Sequence, residues 1–160
     1  MINVALTLLL LISSTAAWQA PSEEAEVLLV VQRFFDSMTA ADPEAAAATL
    51  LPEGQFVSVR PGPDGAVVRT VRHANYLADM QPDGPRLEER MWEPQVLIHD
   101  RMALVWTPYD FHRDGRLSHC GIDAFSLIKT DAGWRIAGIT YTVEPEGCAA
   151  LGQPPRDGAR

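Results

Sequence analysis

The longest regular pattern in the chain is an alternation of apolar and polar positions that runs, with two interruptions, over residues 101–144. It resolves into three strands, 101–111, 117–129 and 134–144, each rich in β-branched and aromatic residues. Asp114-Gly115 between the first two is a type I′ hairpin signal, because both central positions need positive φ, which Gly adopts freely and Asp tolerates. Thr130-Asp131-Ala132-Gly133 reads as a four-residue loop before the third strand. Counting outward from these turns predicts the register. Arg113 faces Arg116, which sets Asp110 opposite His119, Trp106 opposite Asp123 and Leu104 opposite Phe125. Across the second loop, Thr140 falls beside Asp123 and Glu144 beside His119. One face is then expected to carry Trp106, Asp110, His119, Asp123, Thr140 and Glu144, running into an apolar end of Phe125, Leu127 and Ile136. Such a face is the wall of a pocket. Tyr109, Cys120, Ile122 and Tyr141 fall on the other face, and a one-residue slip at the second loop moves Tyr141 into the pocket.

Upstream the period changes to that of helices. Ser22-Glu23-Glu24 is a helix start with acids in its first turn, followed by Val27, Leu28, Val31, Phe34, Phe35 and Met38 at helical spacing. Asp42-Pro43-Glu44 is a second start, leading into an alanine-rich stretch. Short strands are expected at 55–60 and 66–70, separated by Pro61-Gly62-Pro63-Asp64-Gly65, then a third helix over 72–80. Residues 87–98 read as mostly strand, with Pro94 marking a bulge or an edge. Helices followed by a long meander make an α+β domain.

Residues 1–20 carry no charged side chain, and an apolar run over 4–12 precedes Ser13-Ser14-Thr15-Ala16-Ala17. This predicts a secretory signal over 1–17, too short to span a bilayer, ahead of a globular domain at 24–148 and a disordered tail at 149–160. The expected location is outside the cytoplasm, in a bacterial periplasm. A formal charge of -8 and the lack of any basic run disfavour binding to nucleic acid or, after signal cleavage, to an anionic membrane. Cys120 and Cys148 are the only cysteines, which in an oxidising compartment predicts one disulfide tying the tail back to the sheet. A metal site shared with His119 or His112 is the weaker alternative, since adjacent strand residues such as His119 and Cys120 point to opposite faces. No metal and no cofactor is expected: the chain has no zinc-binding spacing, phosphate loop, dinucleotide fingerprint or Ser-His-Asp order.

The order of elements, with Phe125-Ser126-Leu127 on one strand and Trp134-Arg135-Ile136 on the next, resembles the nuclear transport factor 2-like superfamily, which includes SnoaL-like polyketide cyclases and ketosteroid isomerases. The resemblance covers residues 24–148. More narrowly, Trp106-Thr107-Pro108-Tyr109-Asp110-Phe111, Asp114-Gly115, the run from Ser118 to Phe125, and Tyr141-Thr142 with a closing Cys148 are similar to an exported bacterial lumazine-binding-like subgroup. The resemblance implies a cone-shaped, curved antiparallel sheet with about three N-terminal helices packed over its concave face, a central cavity and a homodimer. It implies no particular activity, because the superfold hosts enzymes, carriers and adaptors alike. No stretch matches the active-site motifs of the isomerases or cyclases.

The candidate site therefore rests on residue chemistry. His119, held by a carboxylate at Asp110 or Glu144, is suited to acid or base work, and Asp123, flanked by apolar neighbours, is costly to bury without a partner. Asp123 could equally be neutralised by Arg60, Arg69 or Arg72, or hydrogen-bonded to Trp106 or Tyr141. Trp106 and Phe125 offer walls for a planar ligand, with Asp110, Thr140 and Tyr141 as further contacts. Three functions fit, in this order: a non-catalytic binder of a small apolar or planar molecule, an isomerase, cyclase or hydrolase using His119 or Asp123 as general base, and a dimeric interaction module with a vestigial pocket.

Overall fold

The computed structural model describes residues 21–152 and residue 154. The expected signal segment lies outside them. The chain runs through α1 (Glu23–Ala40), α2 (Pro43–Ala47), β1 (Leu50–Gly62), β2 (Gly65–Arg72) and α3 (His73–Asp79). It continues with β3 (Leu87–Met91), β4 (Gln95–His99), β5 (Met102–Arg113), β6 (Arg116–Thr130) and β7 (Gly133–Thr142), and closes in a 3-10 turn (Cys148–Leu151).

The helix starts are made by the predicted caps. Ser22 Oγ accepts the Ala25 N–H at 3.2 Å, and Asp42 Oδ1 accepts the N–H groups of Glu44 and Ala45 at 3.0 Å each. Along α1, Val27, Val31, Phe34, Phe35 and Met38 form the buried stripe. They pack on the concave face of the sheet, with Phe35 edge-on to Phe125 at 5.9 Å between ring centroids. Each such side chain contributes about 1.5–3 kcal/mol by leaving water, which is the main hold of helix on sheet.

The sheet has seven strands in the order β2-β1-β7-β6-β5-β3, with β4 also on β5. It is mixed: β1 runs parallel to β7, and every other pair is antiparallel. Residues 87–98 form two short strands rather than one. Both pair with β5, β3 along 109–113 and β4 along 102–106, and the break at Trp92-Glu93-Pro94 includes Glu93 at φ 48°.

Both hairpins of the meander begin in the register the turns dictate and then slip by one residue. Asp114 and Gly115 take φ of 51° and 76°, Arg113 pairs with Arg116, and His112 with Leu117. Ser118 is then passed over as a bulge, so Phe111 pairs with His119, Asp110 with Cys120, Thr107 with Asp123 and Val105 with Phe125. Between β6 and β7, Lys129 pairs with Trp134 and Leu127 with Ile136 before Ala137 is skipped. From there Ala124 faces Thr140 and Asp123 faces Tyr141. The predicted pairs of Asp110 with His119, Trp106 with Asp123, Leu104 with Phe125 and Thr140 with Asp123 are therefore each displaced by one. A one-residue displacement changes the face a side chain is matched to.

Cys120 and Cys148 form the expected disulfide, with their Cα atoms 5.6 Å apart. It docks the closing turn on the outer side of β6, where the Trp92 indole N–H also donates to the Leu151 carbonyl at 2.9 Å. Residues 149–151, the first part of the expected tail, form this turn. The bridge spans 28 residues, and losing the chain-entropy restraint of a loop that long costs about 3–4 kcal/mol. Replacing both cysteines by alanine is expected to lower unfolding stability by that amount in urea titration, and dithiothreitol is expected to destabilise the parent chain but not the double variant.

Candidate functional site

The concave face does not close completely under its helices. It leaves a cavity of about 310 Å³ lined by Phe34 and Met38 of α1, Tyr76 of α3, and Phe56, Val71 and Ile139 of the sheet. The walls are apolar; the polar groups come from β1, β2, α3, β3, β5, β6 and β7.

At its inner end Asp123, 2% exposed, meets Glu89 of β3, and the two carboxyls hydrogen-bond each other. Two adjacent buried carboxylates cannot both stay ionised, so the pair holds a proton between them. Burial pushes Glu89 well above the usual carboxylate range, and the negative charge of Asp123 and their mutual hydrogen bond push it further. Burial likewise raises Asp123, to about 7, while the hydrogen bond from Glu89 works in the opposite sense. Both acids are raised, so the pair keeps a proton at pH values where a lone carboxylate has lost it. Asp123 Oδ2 is buried and has no hydrogen-bond partner among the described residues.

Two phenols flank the pair. Tyr141, opposite Asp123 on β7, is held by the Ser58 side chain, and Tyr109 donates to the Thr142 carbonyl at 2.7 Å. Tyr109 reaches that carbonyl across Gly121, its β6 partner, where an added Cβ would lie 2.2 Å from Thr142 O. Burial raises the pKa of both phenols, so both remain neutral donors at physiological pH. His119 stacks on Phe111 at 4.9 Å, lies edge-on to Tyr109, and its Nδ1 is 3.1 Å from Ser118 Oγ. Burial and the nearby Arg60 charge lower its pKa, keeping the imidazole neutral.

Of the residues singled out from sequence, His119, Asp123 and Tyr141 come together in this cavity. Phe125 faces the same side but is sealed in the core against Phe35, at 1% exposure. Trp106 and Thr140 lie on the outer face, both exposed, where Trp106 neighbours the exposed Leu97 and Leu104. Asp110 is also on the outer face, buried beside the disulfide strand. Arg90 Nε donates to its Oδ1 at 2.9 Å, Arg90 Nη2 contacts Oδ2, and His112 Nδ1 lies 3.4 Å from Oδ1. It therefore does not hold His119, and its charge is already matched. Glu144 pairs with Cys120 rather than with His119.

Glu89 and Tyr109 were missed. Tyr109 was misplaced by the Ser118 bulge alone. Glu89 did leave a signal: in β3 it alternates with Leu87 and Met91, which puts a lone acid on the apolar, inward side of its strand. Among the described residues no three His, Cys, Asp or Glu side chains are grouped to hold a metal ion, and no helix is long and apolar enough to cross a membrane.

No family model and no curated protein matches the chain. Solved structures do. A nuclear transport factor 2-like superfamily protein from Salmonella enterica superposes with a TM-score of 0.61 at 16% identity, covering 78% of this chain and 93% of that one. A nuclear transport factor 2-like protein from Cytophaga hutchinsonii gives 0.63 at 13% identity, covering 78% and 99%. Another, with a cystatin-like fold, from Novosphingobium aromaticivorans gives 0.61 at 18% identity, covering 82% and 90%. The chain has the nuclear transport factor 2-like fold.

The raised pKa of Asp123 fixes the sign of a pH effect. The folded state holds a proton that an unfolded aspartate releases near pH 4, so this contribution is complete below that pH and is lost as pH rises toward about 7. Asp123→Asn, which imitates the protonated acid, is expected to flatten that decline. In urea unfolding it should raise stability at pH 8 by on the order of 1–3 kcal/mol and change it little at pH 4.

Proposed function

We propose that this chain binds a small molecule with a flat apolar body and a carbonyl or hydroxyl group, seated in the cone with that polar group against Glu89 and Asp123. The observation that carries the reading is an unfilled apolar cavity whose inner end holds a proton-sharing carboxyl pair. Burying two acids without a cation is unfavourable unless something offsets it, and strongly perturbed groups inside a cleft are characteristic of working sites. A cavity packed with its own side chains would have favoured the interaction module; this one is open. The Cys120–Cys148 disulfide supports placing the mature domain in an oxidising space outside the cytoplasm.

A second reading is favoured by the place of Asp123 in the cavity lining and its pKa, raised by burial to about 7. A carboxyl pair that shares a proton near the ambient pH, beside two neutral phenols, has the parts to move a proton on a bound ketone. Asp123 would take the proton from the carbon next to the carbonyl. Glu89 or Tyr141 would stabilise the oxygen that gains charge.

Two measurements separate these readings. Native mass spectrometry of the exported protein is expected to show a retained small-molecule mass that gentle activation removes, and that a Glu89→Gln, Asp123→Asn double variant fails to retain; equal retention by the variant would put the ligand elsewhere. Deuterium exchange at the carbon next to the carbonyl of 2-tetralone, followed by NMR, tests chemistry. Acceleration by the parent chain that Asp123→Asn abolishes would establish proton transfer, and exchange no faster than in buffer would leave binding alone.

A further inference from the structure

The outer end of the same cavity carries a feature that the acid pair does not use. Arg60 of β1 and Arg69 of β2 both line it, both are exposed, and neither forms an ion pair among the described residues. The β1–β2 register explains their meeting: Arg69 pairs with Ser58, and Arg60 lies two positions beyond Ser58 on the same face. The two residues are diagonal neighbours on one face of adjacent strands. Such a like-charged pair is unfavourable on an empty surface and favourable when an anion lies between its members.

The surroundings leave that anion position open. Arg60 lies near His119, whose imidazole stays neutral and adds an N–H donor, and Arg69 lies near Tyr141. Asp79 reaches the cavity from α3 without pairing with either arginine. Glu89 and Asp123 are at the inner end, engaged with each other. Between the two polar ends lie the apolar walls. A cavity of about 150 Å³ already accommodates benzene, so about 310 Å³ suits a body of about two fused rings.

Resting on the binding reading above, we infer that the ligand is an amphipathic ring acid: a flat body of about two rings with a carboxylate or similar oxyanion at the Arg60–Arg69 end and a carbonyl or hydroxyl at the Glu89–Asp123 end. Planar guanidinium forks suit a planar carboxylate, and the separation of the two polar ends sets the ligand's orientation.

The test uses two probes that differ only in the anion, 6-hydroxy-2-naphthoate and 2-naphthol, titrated by calorimetry into the mature protein. The parent chain is expected to bind the naphthoate at least about tenfold more tightly than the naphthol, the scale of a charge-assisted hydrogen bond. The Arg60→Gln, Arg69→Gln double variant is expected to lower naphthoate affinity to that of the naphthol and to leave the naphthol unchanged. Val71→Trp, which fills the cavity from a half-buried position, is expected to abolish both. Equal affinity for the two probes in the parent chain, or a preference that survives loss of both arginines, overturns the anion inference while leaving the pocket reading in place. Failure of the parent chain to bind either probe, or undiminished binding by a folded Val71→Trp variant, overturns the pocket reading and the inference together.

Discussion

The pairing of β6 with both of its neighbours is the constraint on which the rest of the molecule depends. β6 lies between β5 and β7 and meets a bulge on each side, its own Ser118 against β5 and Ala137 of β7. A bulge adds one residue to one strand, so every pair beyond it is displaced by one position. Because of these two displacements Tyr109, Phe111, His119, Asp123 and Tyr141 share the inward face, while Trp106, Asp110 and Thr140 share the outward one. Gly121 completes the arrangement: with no side chain there, the Tyr109 ring passes over β6 to bond the Thr142 carbonyl.

That framework brings two carboxyls from distant parts of the chain into one apolar cavity. Glu89 comes from an edge strand and Asp123 from the sheet centre, and among the described residues neither forms an ion pair. The resulting shared proton is a tertiary property: each acid raises the pKa of the assembly only because the other is present and water is scarce. Two exposed arginines, Arg60 and Arg69, and one exposed acid, Asp79, line the same cavity.

The outer side of the sheet is organised by a different chemistry. Asp110 is wholly buried there yet matched by Arg90, with His112 beside it, and the adjacent Cys120 anchors the closing turn through Cys148. Buried charge is tolerated where a guanidinium meets it and becomes reactive where none does. Asp110 and Asp123 illustrate the contrast within one pair of strands: the same residue type, both buried, one a structural ion-pair member and the other a titrating acid.

Much of this was legible in the order of residues. The caps at Ser22 and Asp42, the apolar stripe of α1, the Asp114-Gly115 turn and the α+β class follow from local preferences, which act over a few residues and leave direct traces, while the disulfide followed from there being only two cysteines. Asp123 and His119 could be singled out because a polar group in an apolar strand is locally anomalous, and Glu89 could have been found by the same test. Whether Trp106 or Tyr109 faces the ligand could not be read. The turns set the register correctly at the hairpin ends, but a bulge has no firm local signature, and its position is decided by how both sheet faces pack. The sequence by itself determined the elements, their order and the presence of acids and arginines to work with. Only the tertiary structure decided which acids share a proton, which arginines go unpaired and which face encloses the cavity, because those depend on pairings between residues distant in the chain.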